Sequence, residues 1–537
     1  MQFCDTAAIQ QITNLRYTPY ASRDRFGSDC RAFWRPFPIA GVHWLAAECS
    51  MPNTGFDLKG RARKAMIEAG FQPDFPTPVL AELQTIKQRG APQSRGTEAR
   101  DLRSLLWSSI DNDTSRDLDQ VEYGEELSDG VARLLIGIAD VDSSVSKGSA
   151  IDQYAAAETT SVYTGVATFP MLPSDLSTEL TSLLDSQERL SIVIELTISS
   201  SGDVTKHDVY PAWVRNRAKL AYSATGAWLE GRGPIPPAVA SIDGMEAQLR
   251  LQQRTSERLR AVRKQQGSLA FRGVEAHPVV ENGEVKDLNI SQHNAAEDII
   301  ESFMVAANVA MARFLKGKGV LSIRRVVRTP TRWDRIEAIA LQFGAQLPAT
   351  PDPRALSEFL EQRKAADPVH FPDLSLSIVK LLGPGEYIVE PPGAEHEGHF
   401  GLAVNDYTHS TAPNRRYADL VTQRLLKATA KGNPAPYAEA ELRMLATHCT
   451  QREDAARKVE RLMRKVIAAS VLSHRIGEVF DGIVTGASPK GTYVRLLKLP
   501  AEGRIVQGIQ GIDVGDKVKV RLRSVDMEKG FIDFERL

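Results

Sequence analysis

Cysteine is scarce in this sequence. Its four residues among 537, Cys4, Cys30, Cys49 and Cys449, are scattered and never form a CxxC pair. That excludes a disulfide framework and leaves no spacing for a zinc site. Long apolar runs are missing too: no stretch approaches the roughly 18–20 residues of a membrane span. The N-terminal stretch lacks the basic start and apolar core of a signal peptide, so the expected location is the cytoplasm. Charge of one sign is also absent, with a net of −1. A protein that coats nucleic acid by bulk charge is thereby excluded, although a local basic channel is not. Internal repeats and low-complexity tracts are likewise lacking.

What remains is an ordinary globular composition, 42% hydrophobic and 25% charged. At about 100–200 residues per domain, the length predicts three or four domains. Residues 1–98 combine short helical patterns (KGRARKAMIEAG, TPVLAELQTIKQRG) with aromatic, proline-containing runs and a basic excess. GAPQSRGTEAR, near 90–100, is small and polar and reads as a linker. RLLIGIADV and RLSIVIELTI are β-branched runs of strand length, expected to be buried. NAAEDIIESFMVAANVAMARFLKGKG repeats its apolar residues at three and four and predicts a buried-face helix over 294–319. A basic helical arm spans 436–475; taken alone, such a charge run is a solvated face. From 480 onward, short alternating strands broken by glycine predict a Greek-key barrel of the OB type.

The sharpest feature is SSIDNDTSRDLDQ, residues 108–120. Asp111, Asp113, Asp117 and Asp119 fall just before a predicted strand. Asp117 and Asp119, two apart, share a face of an extended segment, and Asp111 can fold back across a polar turn. Carboxylates this close repel one another, and burying them unpaired is costly. A bound divalent cation resolves both problems, and all-oxygen ligands favour a hard ion such as Mg²⁺ or Mn²⁺. A solvated acidic loop or a calcium-stabilised turn is the plain alternative. The EF-hand pattern does not fit, because Arg116 stands where the sixth-position glycine is needed, although Glu122 does meet the twelfth-position glutamate.

The same string resembles the TIDxxxxxDxDDA signature of the RNB family, the 3′-to-5′ exoribonucleases of RNase II and RNase R type. AETTSVYTGVATFPMLPSDLSTELTSLL, RNRAKLAYSATGAWLEG, DIIESFMVAANVAMARFL and HSTAPNRRYADLVTQRLL are similar to further family segments in the same order, covering about 100–475. The resemblance implies an α+β, multi-domain protein. A central RNB catalytic domain with a helical arm (99–476) would carry a mixed sheet wrapped by helices. A C-terminal S1-like OB barrel (477–537) would follow it. Residues 1–98 would form a small α-rich, helix-turn-helix-like domain in place of the family's paired cold-shock domains.

The resemblance also implies roles. Asp111, Asp117 and Asp119 match metal-site carboxylates, and Arg415 matches the arginine on the scissile phosphate. Tyr163 matches the aromatic that stacks on the terminal base, with Phe271 as its clamp partner. Tyr222 and Glu301 match positions near the terminal ribose. Glu460 is an RNA contact on this reading and an ordinary i,i+4 partner of Arg464 on the plainer one. The implied activity is processive, Mg²⁺-dependent (Mn²⁺ as substitute) release of nucleoside 5′-monophosphates from the 3′ end of single-stranded RNA, by a monomer with no membrane or protein partner. One departure bears on all of this: the fourth acid of the signature is Gln120, a neutral amide and a weaker metal ligand. An RNA-binding protein with weakened chemistry is therefore the rival expectation.

Overall fold

The computed structural model describes residues 56–90, 99–271, 275–281, 284–291, 293–368, 370–391, 393, 398–488 and 491–537. The helix-turn-helix-like reading of 1–98 therefore lies largely outside the described residues. Two of its helices are described, α1 (Leu58–Glu68) and α2 (Thr77–Arg89).

Six strands build the central sheet: β1 (Arg100–Asp101), β2 (Trp107–Asp111), β3 (Gln120–Glu126), β4 (Ala132–Ala139), β7 (Glu188–Ile198) and β8 (Val204–Ala221). Between β4 and β7 lie α3 (Ala150–Glu158) and the short pair β5 (Val162–Tyr163) and β6 (Thr168–Phe169). The order is β1-β8-β2-β3-β4-β7, and β7 also pairs with the long β8, so the sheet curls back on itself. β8 is parallel to β1 and β2, whereas the β3, β4 and β7 pairings are antiparallel.

Curling explains why β4 and β7 read as continuous apolar runs: both of their faces are covered. Leu134, Ile136, Ile138, Ile192 and Ile194 face the main core, while Leu135 and Val193 join Trp107, Val121 and Val214 in a second cluster.

After β8 come α4 (Tyr222–Leu229), α5 (Pro237–Ala240), α6 (Met245–Gln266), the hairpin β9 (Glu275–Glu281) and β10 (Glu284–Ser291), and α7 (Ala295–Gly317). α7 starts where predicted because Asn294 caps it. The Asn294 side chain accepts from the amides of Ala296 and Glu297, and Glu297 accepts from the Asn294 amide. This reciprocal box satisfies donors that the first turn would otherwise orphan. Its buried stripe runs through Ile299, Phe303 and Ala307 into the main core. Phe303→Ala is expected to destabilise the protein by about 3–5 kcal/mol, as a large fully buried ring leaves a cavity; a urea-unfolding midpoint checks it.

β11 (Ser322–Val327) and β12 (Gly385–Glu390) pair antiparallel. They bracket α8 (Trp333–Gln342), α9 (Pro353–Ala366) and α10 (Phe371–Leu382), which share a separate core. α11 (Tyr417–Ala430) and the 34-residue α12 (Glu439–Leu472) follow. Five strands then close a barrel in the order β13 (Val479–Ser488), β14 (Gly491–Leu496), β15 (Glu502–Gln507), β17 (Phe531–Arg536) and β16 (Lys517–Asp526).

One core joins α1, α12 and the barrel through Met66, Met463, Val466 and Phe534. Apolar burial on that side of α12 leaves Lys458, Arg461, Arg464 and Lys465 exposed on the other. Among the described residues, no helix is long and apolar enough to cross a membrane.

Candidate active site

The acidic segment lies where β2 ends and β3 begins, and its backbone is held from several sides. The Lys219 ammonium donates to the Ser115 carbonyl at 2.6 Å. Ser182 accepts from the Leu118 amide and donates to the Arg116 carbonyl at 3.0 and 2.7 Å. The Ala139 amide donates to the Asp119 carbonyl at 2.9 Å. These bonds fix an irregular eight-residue connection that has few ladder partners of its own.

Within this frame Asp119 is 2% exposed. One oxygen accepts from the Asn414 amide at 3.2 Å and the other lies 3.5 Å from Nε of Arg415. Burial pushes its carboxyl up to about 7; Arg415 opposes that shift and Asp117 adds to it. Asp117 is also raised by burial, against the pull of Arg415, with the Asp111 charge adding. Asp111, half-buried, accepts from its neighbour's amide and from Ser115 at 2.7 and 3.0 Å. Asp113 is exposed and held by the Ser223 hydroxyl at 3.0 and 3.1 Å. It is therefore held against the start of α4.

Two chain segments meet over the acids. The Ser161 amide donates to the Arg415 carbonyl at 2.9 Å and the Tyr417 amide to that of Thr159 at 2.8 Å. This backbone pairing ties the Tyr163 strand to the Arg415 loop. Asp419, fully buried, holds Arg416 with two bonds of 2.8 and 2.9 Å and accepts from the Ala412 amide. Arg416 is thereby committed to the loop, and Arg415 is the guanidinium turned to Asp119.

The Tyr163 hydroxyl lies 3.5 Å from Asp117. Burial raises its phenol, with Arg415, Asp117, Asp119 and Asp111 all within electrostatic reach. Glu460 reaches over from α12 and accepts from the Tyr163 amide at 3.1 Å. That bond to β5 is neither of the two expectations for Glu460. Tyr222 opens α4 and is buried; burial raises its phenol, and Asp111, Glu122, Arg415 and Glu297 act on it.

Phe271 and Glu301 stand apart from these contacts. Phe271 packs on the core of α8–α10, and among the described residues no ring contact joins it to Tyr163. Its packing is that of a core aromatic. Glu301 lies with His293 and Asp298, ligand atoms within 4.8 Å of one another. His293 already spends both ring nitrogens, on Asp298 at 2.6 Å and Glu297 at 3.0 Å. This is an ion-pair cluster. Burial works against the imidazolium, but the two carboxylates prevail and lift it to about 9. The pair's stability is fully present below the ordinary histidine value near 6.5 and lost as pH rises through about 9. His293→Gln should cost about 2 kcal/mol at pH 7 and almost nothing at pH 10, read from thermal unfolding at both values.

Asp111, Asp117 and Asp119 are not drawn that tightly together. Their chemistry nonetheless fits a hard divalent cation: oxygen donors only, half-buried to buried, with the Asp117 and Asp119 carboxyls raised by burial and by neighbouring carboxylate charge. Sequence reasoning missed three neighbours: Asn414, whose amide binds Asp119, and the half-buried Glu297 and buried Glu122 around Tyr222. Glu122 was legible in principle, because it lies two residues beyond Gln120 on the same strand.

Comparison with known proteins closes the point of ancestry. Residues 99–432 match the RNB domain and residues 478–537 the RNase II-type exonuclease C-terminal S1 domain. The chain belongs to the RNB family. Ribonuclease R of Escherichia coli is 29% identical over 502 residues, spanning 86% of this chain and 60% of that protein. Ribonuclease R of Aquifex aeolicus is 28% identical over 86% of this chain and 68% of its own length. The chain thus spans about 60% of the length of the Escherichia coli relative.

Among solved RNB structures, Mycoplasma genitalium RNase R in complex with ribose-methylated single-stranded RNA superposes with a TM-score of 0.80 at 23% identity, over 90% of this chain and 78% of that one. Yeast Ssd1, described as a pseudonuclease, gives 0.67 at 17% identity, over 87% and 57%. The RNB fold is therefore shared by proteins described as nuclease and as pseudonuclease, and the site has to carry any argument about activity.

Proposed function

We propose that this protein is a 3′-to-5′ exoribonuclease that hydrolyses single-stranded RNA to nucleoside 5′-monophosphates with Mg²⁺. The observation that carries the reading is the buried Asp119 facing Arg415, with Asp111, Asp117 and Tyr163 in electrostatic reach.

A divalent ion bound to such carboxylates would supply an activated water and neutralise charge on the leaving oxygen. Asp111, Asp117 and Asp119 are the residues to hold it, with Gln120 offering at most an amide oxygen. Arg415 stabilises charge building on the phosphoryl oxygens, a task suited to a fixed, permanently charged guanidinium. The Tyr163 ring stacks on a terminal base, which tolerates any base and suits non-specific degradation. Glu460 keeps that ring in place through the Tyr163 amide. Tyr222 borders the pocket where a 2′-hydroxyl contact would separate RNA from DNA. Phe271 and Glu301 have the weaker support from their present surroundings. The exposed basic side of α12 and the S1-type barrel suit phosphate tracking, so affinity should fall with salt. We place this activity in a cytoplasmic monomer.

A second reading has one specific observation behind it. Gln120 is neutral where the family signature has an acid, which suits an RNA-binding protein with weakened chemistry. A 5′-labelled single-stranded RNA, incubated with Mg²⁺ or EDTA and resolved at nucleotide resolution, separates the two. One short limit product with 5′-monophosphate release, lost with EDTA, supports the nuclease. Intact RNA that is still bound, together with strong activity gained on Gln120→Asp, supports the binder.

A further inference from the structure

Glu122 is the one carboxylate of β3 buried beside the acidic segment, and its position is costly. Its residue exposure is 0% and neither carboxylate oxygen has a hydrogen-bond partner. A buried carboxylate left this way costs far more than a leucine in the same slot, whether it is ionised or carries its proton. Its neighbours give no relief. Opposite it across the strand pair stands Ser108, itself approached by Gln252. The Gln252 amide nitrogen is 3.4–3.5 Å from Ser108 Oγ and the Glu122 carbonyl, at the limit of a hydrogen bond.

Strand geometry puts Glu122 on the side of Gln120. Residues two apart share a face. Their register partners on β4, Ile138 for Gln120 and Ile136 for Glu122, both lie in the main core. The Gln120 amide nitrogen is buried without a partner as well. Two unpartnered polar side chains thus share the core-facing side of β3. Asp111 is close enough for its charge to act on Glu122, and Tyr222 feels both carboxylates. An acidic cluster by itself proves nothing, but a fully buried, unpartnered carboxylate within reach of Asp111 points to a positive charge there.

We infer that Glu122 supplies the fourth negative charge of the cation site, from two residues beyond the position where Gln120 leaves the signature neutral. In this low-dielectric pocket the charge need not touch the ion to act on it. Glu122 is thus a positioning and charge-balancing residue of the Asp111 side, and the inference rests on the proposed cation-dependent reading of the site.

The test is Mn²⁺ affinity, followed by electron paramagnetic resonance titration of the full-length, metal-stripped protein. Four forms are compared: the natural protein, Glu122→Gln, Gln120→Asp with Glu122→Gln, and Asp111→Asn. Glu122→Gln keeps shape and removes only charge, and it should weaken Mn²⁺ by about 10- to 100-fold, the range for residues acting just outside the ligand shell. Restoring an acid at 120 in that background should bring affinity back to within about threefold of the natural protein. Thermal unfolding in EDTA shows whether each variant is folded, and Glu122→Gln should unfold no lower than the natural protein.

Unchanged Mn²⁺ affinity in Glu122→Gln, alongside weakened binding in Asp111→Asn, would overturn this inference and leave the cation site standing. Loss without recovery in the double variant would also overturn it, since charge would then not be the shared property. No Mn²⁺ binding by the natural protein would remove the cation reading itself, and this inference with it.

Discussion

Asp119→Asn is expected to lower RNA hydrolysis by about 10³-fold or more, while RNA binding stays within a few fold. Asparagine keeps the size and the Asn414 contact but removes the charge facing Arg415 and any cation, which acts on the chemical step rather than on the bound strand. The same change should stabilise the metal-free protein. Asp119 has its folded value raised to about 7 from an ordinary 3.8. The folded state therefore holds this proton more tightly than the unfolded chain does. Its contribution is full below the unfolded value near 3.8 and is lost as pH rises through about 7. Relative to asparagine, the ionised carboxylate then costs roughly 2–4 kcal/mol. Thermal unfolding in EDTA should show Asp119→Asn well above the natural protein at pH 8 and level with it near pH 4. A variant that loses activity and gains no stability at pH 8 would mean that the carboxylate is paired better than its burial indicates.

Arg415→Lys should reduce kcat by about 10²-fold or more with little change in KM, and Arg415→Ala by about 10³-fold. The loop that presents Arg415 is fixed by Asp419 and by backbone bonds to the Ser161 segment. Neither substitution disturbs those contacts, so the loop should keep its shape. A lysine places one compact charge on a flexible stem where a planar fork faced Asp119, and it should not rescue. Single-turnover kinetics on a 5′-labelled RNA separates the chemical step from binding. A rise in KM with kcat unchanged would make Arg415 a binding residue only.

The two effects differ in what they leave behind. Removing the Asp119 charge frees a buried site from self-repulsion, whereas removing Arg415 leaves Asp119 with a lost counter-charge. Arg415→Ala should therefore lower stability at pH 8, opposite in sign to Asp119→Asn. A paired unfolding experiment on the two variants reads that opposition directly.

The sequence by itself determined what depends on local pattern. An apolar repeat at three and four, polar residues before it and Lys-Gly after it were enough for α7. Unbroken β-branched runs marked β4 and β7, and glycine-punctuated alternation marked the barrel. Motif order from 108 to 426 named the family and put Asp111, Asp117, Asp119, Arg415 and Tyr163 on one list. Only the tertiary structure decided which of these residues share a pocket. Arg415 faces Asp119 because a buried Asp419 holds the loop and commits Arg416, and no spacing rule distinguishes the two arginines. Glu460 sits on an exposed-looking charged helix, yet it reaches the Tyr163 amide because α12 packs across that strand. Phe271 and Glu301 matched the family pattern by position, but their present partners come from packing between segments far apart in sequence. Glu122 stands out in sequence only by its place two residues beyond Gln120. The curled sheet buries both faces of β3, and so leaves that carboxylate without water.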